Sequence, residues 1–281
     1  MLTRLGAAVV VATAVALAFW LLHRRSQRRT SMREEFEGTL KDLERRLTGF
    51  KGRAQHQVPD IVFFNMLADV LENAKAVELL VDSVVPRAAY GSARATLEAA
   101  QDLLLMSSDP TKYDESGAFA RAFEVAEIEN LHKRREKADK ALGISTSIST
   151  PNARDVLKDD AANWDKAAPG RGRLLLDAYN QVLKDGRTHW WNMSRKKIAE
   201  EIARRAPTGK TGLAEMSDAL YGLLSIFTHP RPRTGMREWT QTASDRYAVS
   251  ARDFDREGPL GLAYAAMTMA VSADAMRLQI N

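Results

Sequence analysis

Pro86-Arg-Ala-Ala-Tyr-Gly-Ser-Ala-Arg94-Ala-Thr-Leu-Glu98-Ala-Ala-Gln-Asp102-Leu-Leu-Leu-Met-Ser107 is the stretch that decides the fold class. Proline suits the first turn of a helix, where its missing N–H has no partner to lose. The Ala- and Leu-rich run that follows has helical propensity throughout, and Ser108-Asp109-Pro110 stops it. A helix this apolar belongs at the centre of a bundle, so the neighbouring segments are expected to be helices that cover it.

They read that way on both sides. Phe36, Leu40, Leu43, Leu47 and Phe50 recur at spacings of four, three, four and three, an a/d seam on a helix. That seam either dimerises two copies through Phe36, Leu40, Leu43 and Leu47 or lies on the domain it precedes. Asp60 is placed to cap a helix running to about Val84, with Phe64, Leu67, Ala68, Leu71, Ala74 and Glu78 on successive turns. A third helix is expected from about Ser116 to Leu142, opening with Phe119, Phe123 and Ile128 and ending in the charged run His132 to Lys140. Beyond the break Gly143 to Thr150, Thr150-Pro151 opens a short helix. Leu174, Leu175, Ala178, Tyr179, Val182 and Leu183 form a helix face stopped at Gly186, and Ser194 caps a helix through Arg205. Leu213 to Phe227 is helical up to His229, which precedes Pro230. Pro259 opens a last helix of Ala, Met and Leu. No alternating segment of useful length and no internal repeat are visible, so the body is read as an all-α multi-helix bundle, residues 59–281, preceded by an amphipathic segment at 30–58.

The 281 residues are 45% hydrophobic and 27% charged, which is globular rather than disordered composition. No cysteine is present. Disulfide scaffolds, thiolate zinc sites and cysteine nucleophiles are thereby excluded. The net charge of +5 would suit a polyanion partner, but its placement argues otherwise. Residues 1–29 hold five arginines and no acid, which leaves 36 basic and 36 acidic groups in the rest.

Those first residues contain Leu5 to Leu22, eighteen in a row without a charge, about the length of a bilayer core. Arg4 precedes the run, while Arg24, Arg25, Arg28 and Arg29 follow it. The positive-inside rule then gives a single-pass anchor in the inner (cytoplasmic) membrane, with the C-terminal domain in the cytoplasm and the four arginines on anionic lipid. Ala16-Leu17-Ala18 offers a cleavage site for a signal peptide instead. Against that, the apolar run continues past it and the arginines resist export.

Most familiar chemical signatures are missing. Thr208-Gly209-Lys210-Thr211 resembles part of a phosphate loop, but Arg204 stands where the first glycine belongs. Glu129 and His132 make one Glu-x-x-His where a helical di-iron site needs two. No metal and no cofactor are therefore expected. Two polar stripes remain. Arg94, Glu98 and Asp102 share one helix face, and Tyr221, Ser225 and His229 share another. An ordinary solvent face has the same spacing. If the two stripes meet across a cleft, Arg94 holds an anion, Glu98 orients it, His229 is the group titrating near neutral pH, and Tyr221, Ser225 and Arg231 bind alongside.

Arg94-Ala-Thr-Leu-Glu98, His189-Trp190-Trp191-Asn-Met-Ser194 and Tyr221-Gly-Leu-Leu-Ser225-Ile-Phe-Thr-His229 resemble an uncharacterised bacterial helical family with an Arg-x-x-x-Glu helix, a Trp-x-x-x-Ser helix start and a final Tyr-x-x-x-Ser-x-x-x-His. The likeness covers roughly residues 60 to 275. That family is distantly similar to the HEPN superfamily of helical bundles, several of which cut RNA in toxin and antiviral systems. Those nucleases carry an Arg four to six residues before their His. Here residues 222–225 are Gly, Leu, Leu and Ser, and the neutral body lacks a broad basic field for RNA. The expected function is thus a membrane-anchored interaction or ligand-sensing module. The alternative is a membrane-localised, metal-independent ribonuclease of a toxin or phage-defence system, and only that alternative makes nucleic acid a partner.

Overall fold

The structure is a computed structural model that describes residues 32–51, 57–83, 88–143, 152–186, 189–205, 237–243, 246–251 and 257–280. Its helices are α1 (Met32–Thr48), α2 (Val58–Val81), α3 (Ala88–Ser107), α4 (Tyr113–Leu142), α5 (Ala153–Ala167), α6 (Arg171–Asp185), α7 (Arg195–Arg205) and α8 (Glu257–Arg277). The helical body expected from periodicity is present. Among the described residues no helix is long and apolar enough to cross a membrane. The apolar run Leu5–Leu22 and its arginines lie outside the described residues.

As its composition demands, α3 is central. It packs on α2 along one side and on α8 along another, with α7 across its C-terminal half. Ala93, Leu97, Ala100, Leu103, Leu104 and Leu105 are fully or almost fully buried. Burial of such side chains contributes about 1.5–3 kcal/mol for each Leu-sized residue. On the far side of α2 comes α4, and the α5–α6 pair packs on α4. Gly172 lets the last two approach, because a Cβ there would collide with the Ala161 carbonyl. The Asp165 carboxylate fixes that corner by accepting from the N–H groups of Gly170 and Gly172, both at 2.9 Å.

Contacts along the chain set the helix directions. α1 runs antiparallel to α2: Arg33 reaches Asp82 at 2.7 Å, Lys75 reaches Glu44 at 2.7 Å, and Phe50 stands edge-on to Phe64 at 5.1 Å. α4 starts where α2 starts, since Tyr113 Oη donates to Asp60 at 3.0 Å and Gly117 lies flat on Pro59. Further along, burial pushes the Glu124 carboxyl up, and the nearby Asp69 charge on α2 adds to that against the opposing Arg121. The two helices therefore run the same way.

At the end where α2 and α4 begin, charge is buried. Arg277, 2% exposed, donates through Nε and Nη2 to Asp274 at 3.1 and 2.9 Å and through Nη1 to the Lys51 carbonyl at 3.1 Å. Asp60 lies 4.0 Å from the same guanidinium, and the Phe50 and Phe63 rings lie 4.4 and 5.2 Å from its carbon. Arg46 then bridges Asp274 on α8 and Asp42 on α1 at 2.9 and 3.0 Å.

The structure corrects three expectations and decides one that was left open. Asp60 does not cap its helix: Gln57 holds the cap position, Pro59 sits in the first turn, and Asp60 is buried as the acceptor for Tyr113. Of the two readings of the Phe36–Leu47 seam, packing on the body is the one found, and the seam is occupied within the chain. Phe36 and Leu43 are fully buried, Leu40 nearly so, and Leu47 packs against the same core; α2 and α8 offer α1 an apolar face of their own. The helix after residue 150 is capped by Asn152, whose side chain accepts from the Arg154 N–H at 3.1 Å. Finally, the body contains an antiparallel hairpin, β1 (Arg237–Ala243) and β2 (Arg246–Ala251), with Trp239 opposite Val249 and an irregularity between Gln241 and Ala243. Aromatic and β-branched residues favour strands there, but Arg237, Glu238, Gln241 and Arg246 interrupt the apolar alternation that marks a strand.

Two substitutions test this account by urea unfolding. Arg277→Met leaves Asp60 without its cation and Asp274 with Arg46 alone, and should cost about 3–5 kcal/mol. Gly117→Ala puts a methyl group 2.6 Å from Pro59 and should cost about 1–3 kcal/mol by overpacking. A loss under a few tenths of a kcal/mol in either variant contradicts the packing described.

Candidate functional site

The polar face of α3 meets a short segment, His189 to Ser194, that leads into α7. His189 to Asn192 form a turn in which the Asn192 N–H donates to the His189 carbonyl at 2.9 Å. Asn192 has φ 54°, a left-handed conformation that asparagine tolerates better than most residues. Ser194 Oγ accepts from the Lys197 N–H at 3.4 Å, so it caps α7 as expected. The turn delivers two groups to α3 at once: the His189 ring and, one residue past the cap, Arg195.

Asp102 is their meeting point. Its Oδ1 accepts from His189 Nε2 at 2.9 Å and Arg195 Nη1 at 2.7 Å, while Arg195 Nη2 lies 3.4 Å from Oδ2. Arg195 Nη1 also donates to the Glu98 carbonyl at 3.1 Å. One turn back, Arg94 Nε donates to Glu98 Oε1 at 2.9 Å, and Glu98 Oε2 stands 4.0 Å from Arg195. Two carboxylates and two guanidiniums alternate across the face and their formal charges cancel. Burial alone would raise the Asp102 carboxyl, but the His189 hydrogen bond and the Arg195 charge more than offset it and hold it below the ordinary carboxylate range.

The histidine is committed on both nitrogens. The Trp191 N–H donates to Nδ1 at 3.2 Å, so Nδ1 must present its lone pair and the proton sits on Nε2, facing Asp102. Protonating Nδ1 would break the bond to Trp191. The ring is 8% exposed and lies 5.3 Å from Trp190, and Trp191 stands edge-on to Phe119 of α4 at 5.8 Å. His189 therefore orients Asp102 and the aromatic turn and has no free lone pair for a substrate proton.

Arg94 and Glu98, expected as site residues, are brought together and are each about a quarter exposed, with side chains at 21% and 29%. Tyr221, Ser225, His229 and Arg231 lie outside the described residues. His189 and Arg195 were not foreseen as site residues. The His189-Trp190-Trp191 triplet marks the turn in the sequence, but nothing local tells that its partner is Asp102. Among the described residues no group of three or more His, Asp and Glu is arranged to hold a metal ion, and Glu129 of the single Glu-x-x-His is engaged by Tyr179 at 2.6 Å and Lys133 at 2.8 Å. No family model matches the chain, and no curated protein or solved structure matches it.

The pH dependence of this network has a definite sign. A carboxyl held low in the folded state stabilises fully above its unfolded value, near about 3.9. That contribution fades as pH falls through the lower folded value. Asp102→Asn should therefore lower stability by about 1.5–3 kcal/mol at neutral pH, and its deficit against the parent should shrink steadily in unfolding curves taken below about pH 4. A deficit independent of pH would contradict an ionised Asp102.

Proposed function

We propose that the chain is a membrane-tethered helical domain acting as an interaction or ligand-sensing module, with the Arg94–Glu98 edge of the α3 face as its ligand-facing part. The saturation of the network beneath that edge is the observation that carries this reading. Asp102, His189 and Arg195 satisfy one another, so they hold a shape and present no free acid or base, which hydrolysis would need. Arg94 and Glu98 sit at the rim of this lattice, about a quarter exposed, as an ion pair that a carboxylate or phosphate could enter. The tether rests on Leu5–Leu22 and its flanking arginines, which support a single inner-membrane span with the body in the cytoplasm.

A ribonuclease, suggested by the distant likeness to the HEPN superfamily, is the opposing outcome of the test. Full-length protein incubated with end-labelled RNA should leave it intact, and His229→Ala should change nothing in that assay. Cleavage that His229→Ala abolishes at an unchanged unfolding midpoint overturns the module reading. The tether is checked separately: the chain should stay with the membrane pellet through alkaline carbonate extraction.

A further inference from the structure

The second half of α4 is a helix that the other described elements do not cover. Up to Glu129 it is held, with Tyr179 of α6 donating to that carboxylate. From Asn130 to Gly143 every residue is exposed except His132 and Asp139, which are half-buried. Four turns of helix standing in solvent should be polar all round. These are not. Leu131 is 58% exposed, Leu142 70% and Ile128, just before them, 42%. At about 100° per residue, Leu131, Ala138 and Leu142 fall on one narrow arc, with Arg134 on one flank and Arg135 on the other. Over the same stretch Lys133, Arg134, Arg135, Lys137 and Lys140 face only Glu136 and Asp139. In a body whose charges balance overall, this is a local basic excess combined with unburied leucine.

The helix directions say where that tip lies. α2 and α4 start together, at Asp60–Tyr113 and Pro59–Gly117, and run the same way. From Gly117 to Leu142 the axial rise is about 37 Å, and from Pro59 to Val81 about 33 Å. The α4 tip thus reaches the level of the α2 C-terminus. There Asp82 binds Arg33 in the first turn of α1, and Met32 lies against Gly261 at the start of α8. It is the end of the body where the chain arrives from residues 1–31.

We infer that the α4 tip, residues 130–143, is a second membrane contact, an amphipathic helix end that docks on an anionic bilayer surface beside the point where the anchor joins the body. The occupant follows from charge and place together. Anionic headgroups complement Arg134, Arg135 and Lys137, the leucine arc enters the headgroup boundary as in interfacial helices, and the proposed tether holds such a surface at that end. Docking there would fix how the α3 face is oriented to the membrane, which a single span leaves free to rotate.

The inference rests on the tethered reading, and the test separates the two. Because the chain has no cysteine, Ala138→Cys gives one labelling position at the tip of the full-length protein and Glu115→Cys gives a control on the same helix at the other end. Each is labelled with a polarity-sensitive dye and mixed with, or reconstituted into, vesicles carrying spin-labelled quencher lipid. The expected result is quenching at position 138, not at 115, in vesicles of phosphatidylglycerol and phosphatidylcholine, and little at either in phosphatidylcholine alone. Each cation removed should lower the docked-to-free ratio about fivefold, so Arg134→Gln with Lys137→Gln should lower it about 25-fold. Both side chains are solvent-exposed, and the unfolding midpoint should not move. Equal quenching of the 138 label in both lipids, or none in either, overturns the proposal even if carbonate leaves the protein in the pellet. Release by carbonate with lipid-dependent quenching intact overturns the tether alone.

Discussion

A guanidinium buried to 2% exposure is the constraint around which the helices are arranged. Bringing Arg277 out of water costs several kcal/mol unless its donors and charge are met. The fold meets them from three elements: Asp274 on its own helix, the Lys51 carbonyl and Phe50 ring after α1, and Asp60 and the Phe63 ring on α2. Tyr113 at the start of α4 completes Asp60, and Arg46 on α1 completes Asp274. Each group is useful only if the others are in place. The end of α8, the end of α1 and the beginnings of α2 and α4 must therefore coincide. Apolar burial alone sets no such register, because leucine and alanine faces can slide past one another at small cost, whereas an unpaired charge cannot.

Helix directions follow from that meeting point. With α2 and α4 starting side by side, α4 has to run parallel to α2, and its thirty residues carry it past the α5–α6 pair that covers only its first half. α3 returns along the opposite face of α2 toward the same end, so its C-terminal half, with Glu98 and Asp102, lies under the turn that feeds α7. The site's position is thus a result of packing. Its internal geometry is a result of the His189–Asn192 turn, which aims one ring at Asp102 and sets Arg195 one residue beyond the Ser194 cap.

The local parts of this were legible in the sequence and the distant ones were not. Helices announce themselves within a dozen residues, through the spacing of Leu40, Leu43 and Leu47 or the Pro259 start, and proline, serine and glycine at positions 86, 194 and 186 marked ends close to those found. Asp60 looked like a cap because its role is decided by Tyr113, 53 residues away. His189 gave no sign of its partner, 87 residues back along the chain. The Arg94–Glu98 pair was visible because both members sit on one helix four apart. The hairpin was missed for a different reason: Arg237, Glu238, Gln241 and Arg246 interrupt the apolar alternation that a half-buried strand would show.

The molecule handles its charges in two contrasting ways, and the contrast separates what holds the fold from what faces outward. Around Arg277 and around Asp102 every cation has a carboxylate within hydrogen-bond reach and every carboxylate a donor, so these clusters are rigid and electrically quiet at a distance. The α4 tip keeps a basic excess and leaves leucine exposed, an arrangement that the proposed anionic and apolar surface would relieve. Saturated clusters specify structure. An unsatisfied one, at the end where α1 begins, is where the proposed membrane contact would form.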